Sequence, residues 1–129
     1  MLVPIGSEAD IVLARQKARE LAANCGFSGP DQTIVALAVS EIARNIVSYA
    51  RSGRMLFSVL ERDARRGIQV VAEDEGPGIP NIELAMRDGY STARSLGMGL
   101  PGAKRVMDEF DLRSAPGNGT TVTMTKWSR

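Results

Sequence analysis

At 129 residues, with 16 basic against 15 acidic side chains and a formal charge of +1, the chain suits a single domain over 1–129 and lacks the field that gathers nucleic acid or anionic lipid. The absence of histidine excludes imidazole-based acid–base catalysis, a Ser-His-Asp triad and zinc sites that depend on imidazole. The lone Cys25 cannot form an internal disulfide and sits in an apolar stretch, which predicts a buried, inert thiol in a reducing compartment.

Glu8 and Asp10 stand where a secretory signal carries basic residues, and no uncharged apolar stretch reaches membrane-spanning length. A cytoplasmic protein is therefore expected. From Glu8 to Cys25, the residues Ile11, Ala14, Ala18, Leu21 and Ala22 recur at helical spacing, and Gly26 supplies a C-terminal stop. Pro30 suits the first turn of a second helix, whose apolar side includes Ile34, Leu37, Ala38 and Ile42 before the pattern fades near Ala50 and Gly53. Met55 to Glu61 and Ile68 to Asp74 are rich in apolar and β-branched residues and read as a hairpin, joined by a charged turn from Arg62 to Gly67 whose arginines read as a solvated edge.

Beyond Asp74, the run Glu75-Gly76-Pro77-Gly78-Ile79-Pro80 is too rich in glycine and proline to continue a strand. A short helical piece over Ile82 to Met86 is expected, then a polar stretch ending in Gly97-Met98-Gly99-Leu100-Pro101-Gly102. Ala103, Val106, Met107 and Phe110 predict a third helix, Leu112 to Ala115 a strand, Pro116 to Gly119 a turn and Thr120 to Trp127 a last strand. The order α, α, β, β, loop, α, β, β fits a two-layer α/β sandwich, of the α+β kind, better than a doubly wound parallel sheet.

Three segments are candidates for chemistry. Glu41 and Asn45, four residues apart, share one helix face, either as an ordinary solvated surface or as a pair of polar tips aimed at a ligand. In Asp74-Glu75-Gly76-Pro77-Gly78 the aspartate ending a strand can accept from an exocyclic amine and the glycines admit a flat base, or the segment is simply a turn. Gly97, Gly99 and Gly102 spell G-x-G-x-x-G, but after a polar stretch rather than a buried strand, which argues against a dinucleotide-binding Rossmann site. Glycines at a helix start still present backbone N–H groups and a positive helix end to a polyphosphate. A Walker A loop and the catalytic and metal-binding loops of ordinary protein kinases are missing.

In this order, and with the Gly117-Asn118-Gly119-Thr120 turn, the segments resemble the GHKL ATPase superfamily across nearly the whole chain. Glu41 and Asn45 match its N box, Asp74 to Gly78 its first glycine box, Gly97 to Gly102 its second and Thr120 its last nucleotide-contacting strand. The resemblance implies the Bergerat ATP-binding fold, with a mixed, mostly antiparallel sheet and helices on one face. Within the superfamily, Asp10 to Gln16, Ser40 to Ile46, Ala72 to Pro80, Gly97 to Gly102, Met107 to Phe110 and Lys126-Trp127 resemble the small switch serine/threonine kinases of stressosomes. That family implies phosphorylation of STAS-domain partners of the RsbS and RsbR type, followed by release of the kinase to activate a PPM-type phosphatase.

The resemblance also implies roles. Asn45 would ligate Mg2+, an ion that takes oxygen ligands and bridges the phosphates of ATP. Glu41 would be the general base for the attacking hydroxyl, since phosphoryl transfer needs mainly positioning, charge stabilisation and a base near the nucleophile. Asp74 would accept from the adenine amine with Thr120 nearby, Gly76 and Gly78 would keep the base pocket open, and Gly97, Met98, Gly99, Leu100 and Gly102 would wrap the phosphates within a mobile lid. Arg94 either adds charge at the γ-phosphate or is an exposed lid arginine. Two further functions fit the same boxes: an anti-sigma factor that sequesters a sigma subunit, and the detached catalytic domain of a histidine kinase. The missing histidine leaves the latter without a phosphoacceptor of its own.

Overall fold

The computed structural model describes residues 1–78 and 99–128. In chain order the elements are β1 (Leu2–Ile5), α1 (Glu8–Asn24), α2 (Gly29–Tyr49), β2 (Gly53–Arg62), β3 (Arg65–Asp74), α3 (Gly99–Val106), β4 (Glu109–Ser114) and β5 (Thr120–Trp127). The five strands form one sheet in the order β1-β2-β3-β5-β4, and each of these pairings is antiparallel. Helices lie on one face of this sheet, giving the two-layer α/β arrangement.

Local chemistry explains the two long helices. Ser7 caps α1 by accepting from the Asp10 amide at 3.4 Å, while the Asp10 carboxylate accepts from the Gly6 amide at 2.8 Å. Glu8 and Asp10 therefore also place negative charge at the positive end of the helix. A Schellman motif closes α1, with the Phe27 amide bonded to the Ala22 carbonyl at 3.0 Å and the Gly26 amide to that of Ala23 at 3.1 Å. Ser28 caps α2 through the Asp31 amide at 3.2 Å, with Pro30 in the first turn.

Strand alternation builds the core. Met55 and Phe57 on β2, Ile68, Val70 and Ala72 on β3, and Val122 and Met124 on β5 are all buried and alternate along their strands. The register pairs Met55 with Ala72 and Ala72 with Val122, so one continuous apolar sheet face meets Ile11, Ala14 and Ala18 of α1 and Val35, Val39 and Ile42 of α2. Cys25 belongs to this cluster, and burial pushes its thiol pKa up. An unreactive thiol is the consequence.

Three local expectations need correction. Leu2–Ile5 forms the edge strand β1, paired with β2 from Leu2↔Leu56 to Ile5↔Gly53. Its brevity and Pro4 hide it in the sequence, yet an edge strand tolerates a residue with no N–H to give. The segment from Arg62 to Gly67 is not a long solvated turn: β2 and β3 extend through Arg62 and Arg65, leaving only Asp63 and Ala64, both at positive φ, as a two-residue connection. Arg62 lies over the Trp127 ring at 4.7 Å and pairs with Glu109 at 3.7 Å, but it, Arg65 and Arg66 are all exposed, so the arginines do form the solvated edge expected of them.

The third helix ends at Val106, and Phe110 pairs with Met124 inside β4 rather than continuing a helical face. Lys126, which is 5% exposed, causes the break by donating from Nζ to the Val106 carbonyl at 3.1 Å. The Asp108 amide then bonds to the Thr125 carbonyl at 2.9 Å, and its carboxylate accepts from the Trp127 amide at 2.8 Å. These bonds draw the chain into the sheet before a further helical turn can form.

Candidate active site

The central helix α2 carries the first group of candidate residues. Ser40 spends its hydroxyl on the Ala36 carbonyl at 2.9 Å, inside the helix. Glu41, one residue on, is 4% exposed and accepts from the Gly99 backbone N–H at 3.2 Å. A carboxylate is thus held against the N-terminal end of α3, where the helix dipole favours negative charge. Asn45 follows one turn later on the same face and is half-buried. Arg44 points elsewhere, pairing with Glu8 of α1 at 3.5 Å.

The second group gathers at the end of the sheet. Asp74 closes β3, with Gly53 across from it on β2 and Thr120 across from it on β5, and Thr120 is in turn opposite Ser114 on β4. Strand parity puts these side chains on the helix-bearing face, continuing the row beyond Ala72 and Val122. The Asp74 Oδ1 accepts from the Gly76 amide at 2.9 Å, which turns the chain immediately after the strand. A Cβ on Gly76 would come within 2.6 Å of the Ala50 Cβ, and one on Gly53 within 3.0 Å of the Ile46 side chain. The carboxylate of Asp74 therefore lies beside the last turn of α2.

Two glycines at this end leave no room for a side chain. Gly78 has φ +79°, and a Cβ there would overlap the Ala115 carbonyl; Gly119 has φ +75°, and its Cβ would overlap the Asp74 carbonyl. The Gly117 amide bonds to the Pro77 carbonyl at 2.7 Å, tying the segment after β3 to the β4–β5 turn.

Along α2, Asn45 follows Glu41 by about 6 Å of helix rise. The Asp74 corner lies against the C-terminal end of the same helix, where Gly53 stands between the Asp74 Cβ and the Ile46 side chain and Gly76 packs on Ala50. Of the second glycine segment, Gly99, Leu100 and Gly102 fall in the first turn of α3, and Leu100, Pro101 and Gly102 are buried. Ile79 to Met98, which include Arg94, Gly97 and Met98 as well as the helical piece expected over Ile82 to Met86, lie outside the described residues. No group of three or more Cys, Asp or Glu side chains suited to a metal occurs among the described residues; the Asn45 amide supplies an oxygen donor on the face it shares with the Glu41 carboxylate. Such a donor fits magnesium, which keeps several waters and takes phosphate oxygens for the rest of its shell.

The family profile described as "Histidine kinase-like ATPase domain" matches residues 7–126. The chain belongs to this family. Serine/threonine-protein kinase RsbT of Bacillus subtilis strain 168 is 47% identical over 98% of this chain and 96% of its own length. An anti-sigma F factor of Caldanaerobacter subterraneus subsp. tengcongensis is 35% identical over 70% of this chain and 66% of its own. The fold also matches a crystal structure of the RsbU and RsbW domains of a Mycobacterium tuberculosis protein, with TM-score 0.65 and 21% identity. That match covers all of this chain and 32% of the other, so the likeness is one of fold. Within the histidine kinase-like ATPase family, the resemblance seen in the sequence and the observed sheet agree.

Sequence reasoning missed Ser114, whose hydroxyl lies 2.9 Å from that of Thr120. The signal was available: the turn from Pro116 to Gly119 makes Ser114 and Thr120 natural register partners.

Proposed function

We propose that this protein is an ATP- and Mg2+-dependent serine/threonine-protein kinase of the GHKL type that phosphorylates STAS-domain partners in a stressosome-type switch and, once released, activates a PPM-type phosphatase, in the cytoplasm. The observation that carries the kinase reading is the 47% identity to RsbT over nearly the full length of both chains. The arrangement along α2 supports the same reading, because one helix carries a buried carboxylate and a half-buried amide on one face and meets the Asp74 corner at its C-terminal end.

In this mechanism Asp74 and Thr120 bind the adenine edge, Gly76 and Gly78 let the segment after β3 pack on Ala50 and Ala115 beside that edge, and the start of α3 turns its N–H groups and dipole toward the phosphates. Asn45 would hold a magnesium ion, whose charge would offset that of the phosphates. Glu41 takes the proton of the acceptor hydroxyl as that oxygen attacks the γ-phosphorus and ADP leaves. Because the Glu41 carboxylate already accepts the Gly99 N–H, phosphates arriving at α3 compete for that donor and free the carboxylate for the hydroxyl.

The test is phosphate transfer from radiolabelled ATP to a purified STAS-domain protein under single-turnover conditions, with the acceptor residue mapped. Label on a serine or threonine supports the proposal; no transfer to any STAS-domain protein offered overturns it. The second reading is an anti-sigma factor, favoured by the 35% identity to the anti-sigma F factor over 70% of this chain. Capture of a sigma subunit from native extract, without STAS proteins or a phosphatase, would select that alternative.

A further inference from the structure

Among the described residues two charged side chains are buried, Glu41 at 4% exposure and Lys126 at 5%. They stand at opposite ends of α3. At its start the Gly99 N–H donates to Glu41 Oε2 at 3.2 Å, and at its end Lys126 Nζ donates to the Val106 carbonyl at 3.1 Å. Each charge has the sign that the helix dipole favours at that end. Between them Leu100, Pro101, Gly102 and Ala103 are buried, so α3 turns its body to the core and its two ends to opposite charges.

Lys126 is rooted in the sheet. On β5 it pairs in register with the fully buried Ile68 of the central strand β3. Its ammonium also lies 3.7 Å from the Asp108 carboxylate, which accepts from the Trp127 amide at 2.8 Å, while the Asp108 amide donates to the Thr125 carbonyl at 2.9 Å. The cation is thus tied at once to β5 and to the residues that follow α3. A buried ammonium needs such acceptors, because an unpaired charge out of water is costly, and sliding α3 away would strip it of the Val106 carbonyl. An apolar side chain at this position would fill the core without resisting that movement.

We infer that Lys126 is a positioning residue for phosphate transfer: it pins the C-terminal end of α3 to β5 and so fixes where the first turn presents the Gly99 N–H to Glu41 and its other N–H groups to the phosphates. This rests on the kinase reading above and adds to it a residue remote from the nucleotide. Eight residues at about 1.5 Å each give α3 a length of about 12 Å, so the ammonium acts through the helix and not by contact with Glu41.

The first readout is amide hydrogen exchange at Gly99, which needs no nucleotide. Lys126→Met keeps an unbranched stem but gives the Val106 carbonyl no donor, so Gly99 should exchange about tenfold faster relative to Val39 and Ile42, buried in α2. A general loss of stability would speed the α2 amides as well and would not raise that ratio. The second readout is binding: ATP should weaken about tenfold, whereas adenosine, which brings no phosphate to α3, should bind as it does to wild type. Lys126→Arg, which restores a charged donor, should recover both. Should Lys126→Met melt below the assay temperature, Lys126→Gln, whose side chain is one bond shorter and leaves Val106 out of reach, takes its place in both measurements. If either readout is unchanged in the folded variant, the inference is overturned while the kinase reading stands. Failure of wild type to bind ATP overturns the kinase reading and, with it, the role of Lys126 in transfer.

Discussion

The two halves of the site are built differently. The helix face of Glu41 and Asn45 comes from one continuous element, in which a four-residue spacing suffices to put both tips together. The corner of Asp74, Thr120 and Ser114 comes from three strand ends, and backbone contacts at Gly78 and Gly119 hold it. In the proposed mechanism charge and proton transfer belong to the helix, while recognition of the base belongs to the sheet. The difference teaches that turnover and base selectivity should respond to separate mutations.

The largest expected effect is on the helix. Glu41→Gln keeps an oxygen that can accept the Gly99 N–H but removes the base, so phosphate transfer should fall by about 10²- to 10⁴-fold with ATP affinity almost unchanged. Single-turnover transfer and a separate binding isotherm measure the two. If Gln supports wild-type transfer, Glu41 is only an anchor for α3. Glu41→Ala removes the anchor as well, and leaving the Gly99 N–H unpaired should lower stability by about 1–3 kcal/mol in thermal or denaturant unfolding.

Asn45→Ala should reduce ATP affinity about tenfold, a loss of about 1.4 kcal/mol, and only when magnesium is present. Calorimetry with and without the metal reads the difference. Equal affinities in wild type and variant at saturating magnesium would remove Asn45 from the site. At the other half, Asp74→Asn keeps the size of the side chain but adds a donor, so ATP should weaken about tenfold while GTP changes little. Parallel losses for both nucleotides would erase the proposed division between helix and sheet.

The smallest expected effect lies at the far end of the sheet from both halves. Ala64 adopts φ +66° in the β2–β3 connection, where glycine carries no Cβ penalty. Ala64→Gly should therefore raise stability by about 0.5–1 kcal/mol, seen as a higher melting temperature, without changing either the transfer rate or the ATP-to-GTP affinity ratio. A change in that ratio would mean that the two regions are not separable.

Much of this molecule is legible without coordinates, because local chemistry decides it. The stop at Gly26, Pro30 in the first turn of α2 and the alternation of β3 and β5 all act within a few residues, and so do the shared helix face of Glu41 and Asn45 and the acceptor character of Asp74. Tertiary structure alone decided the rest. Strand β1 exists because a partner 48 to 54 positions along the chain takes up its backbone groups, and α3 stops at Val106 because the buried Lys126 reaches its last carbonyl. Glu41 meets the Gly99 amide across 58 positions, and the hydroxyls of Ser114 and Thr120 come within 2.9 Å where the ends of β4 and β5 meet. Each of these depends on hydrogen-bonding partners that no local pattern specifies: a backbone or hydroxyl group takes whichever complementary atom folding brings within 3 Å or so, and burial then removes the water that would let it choose another.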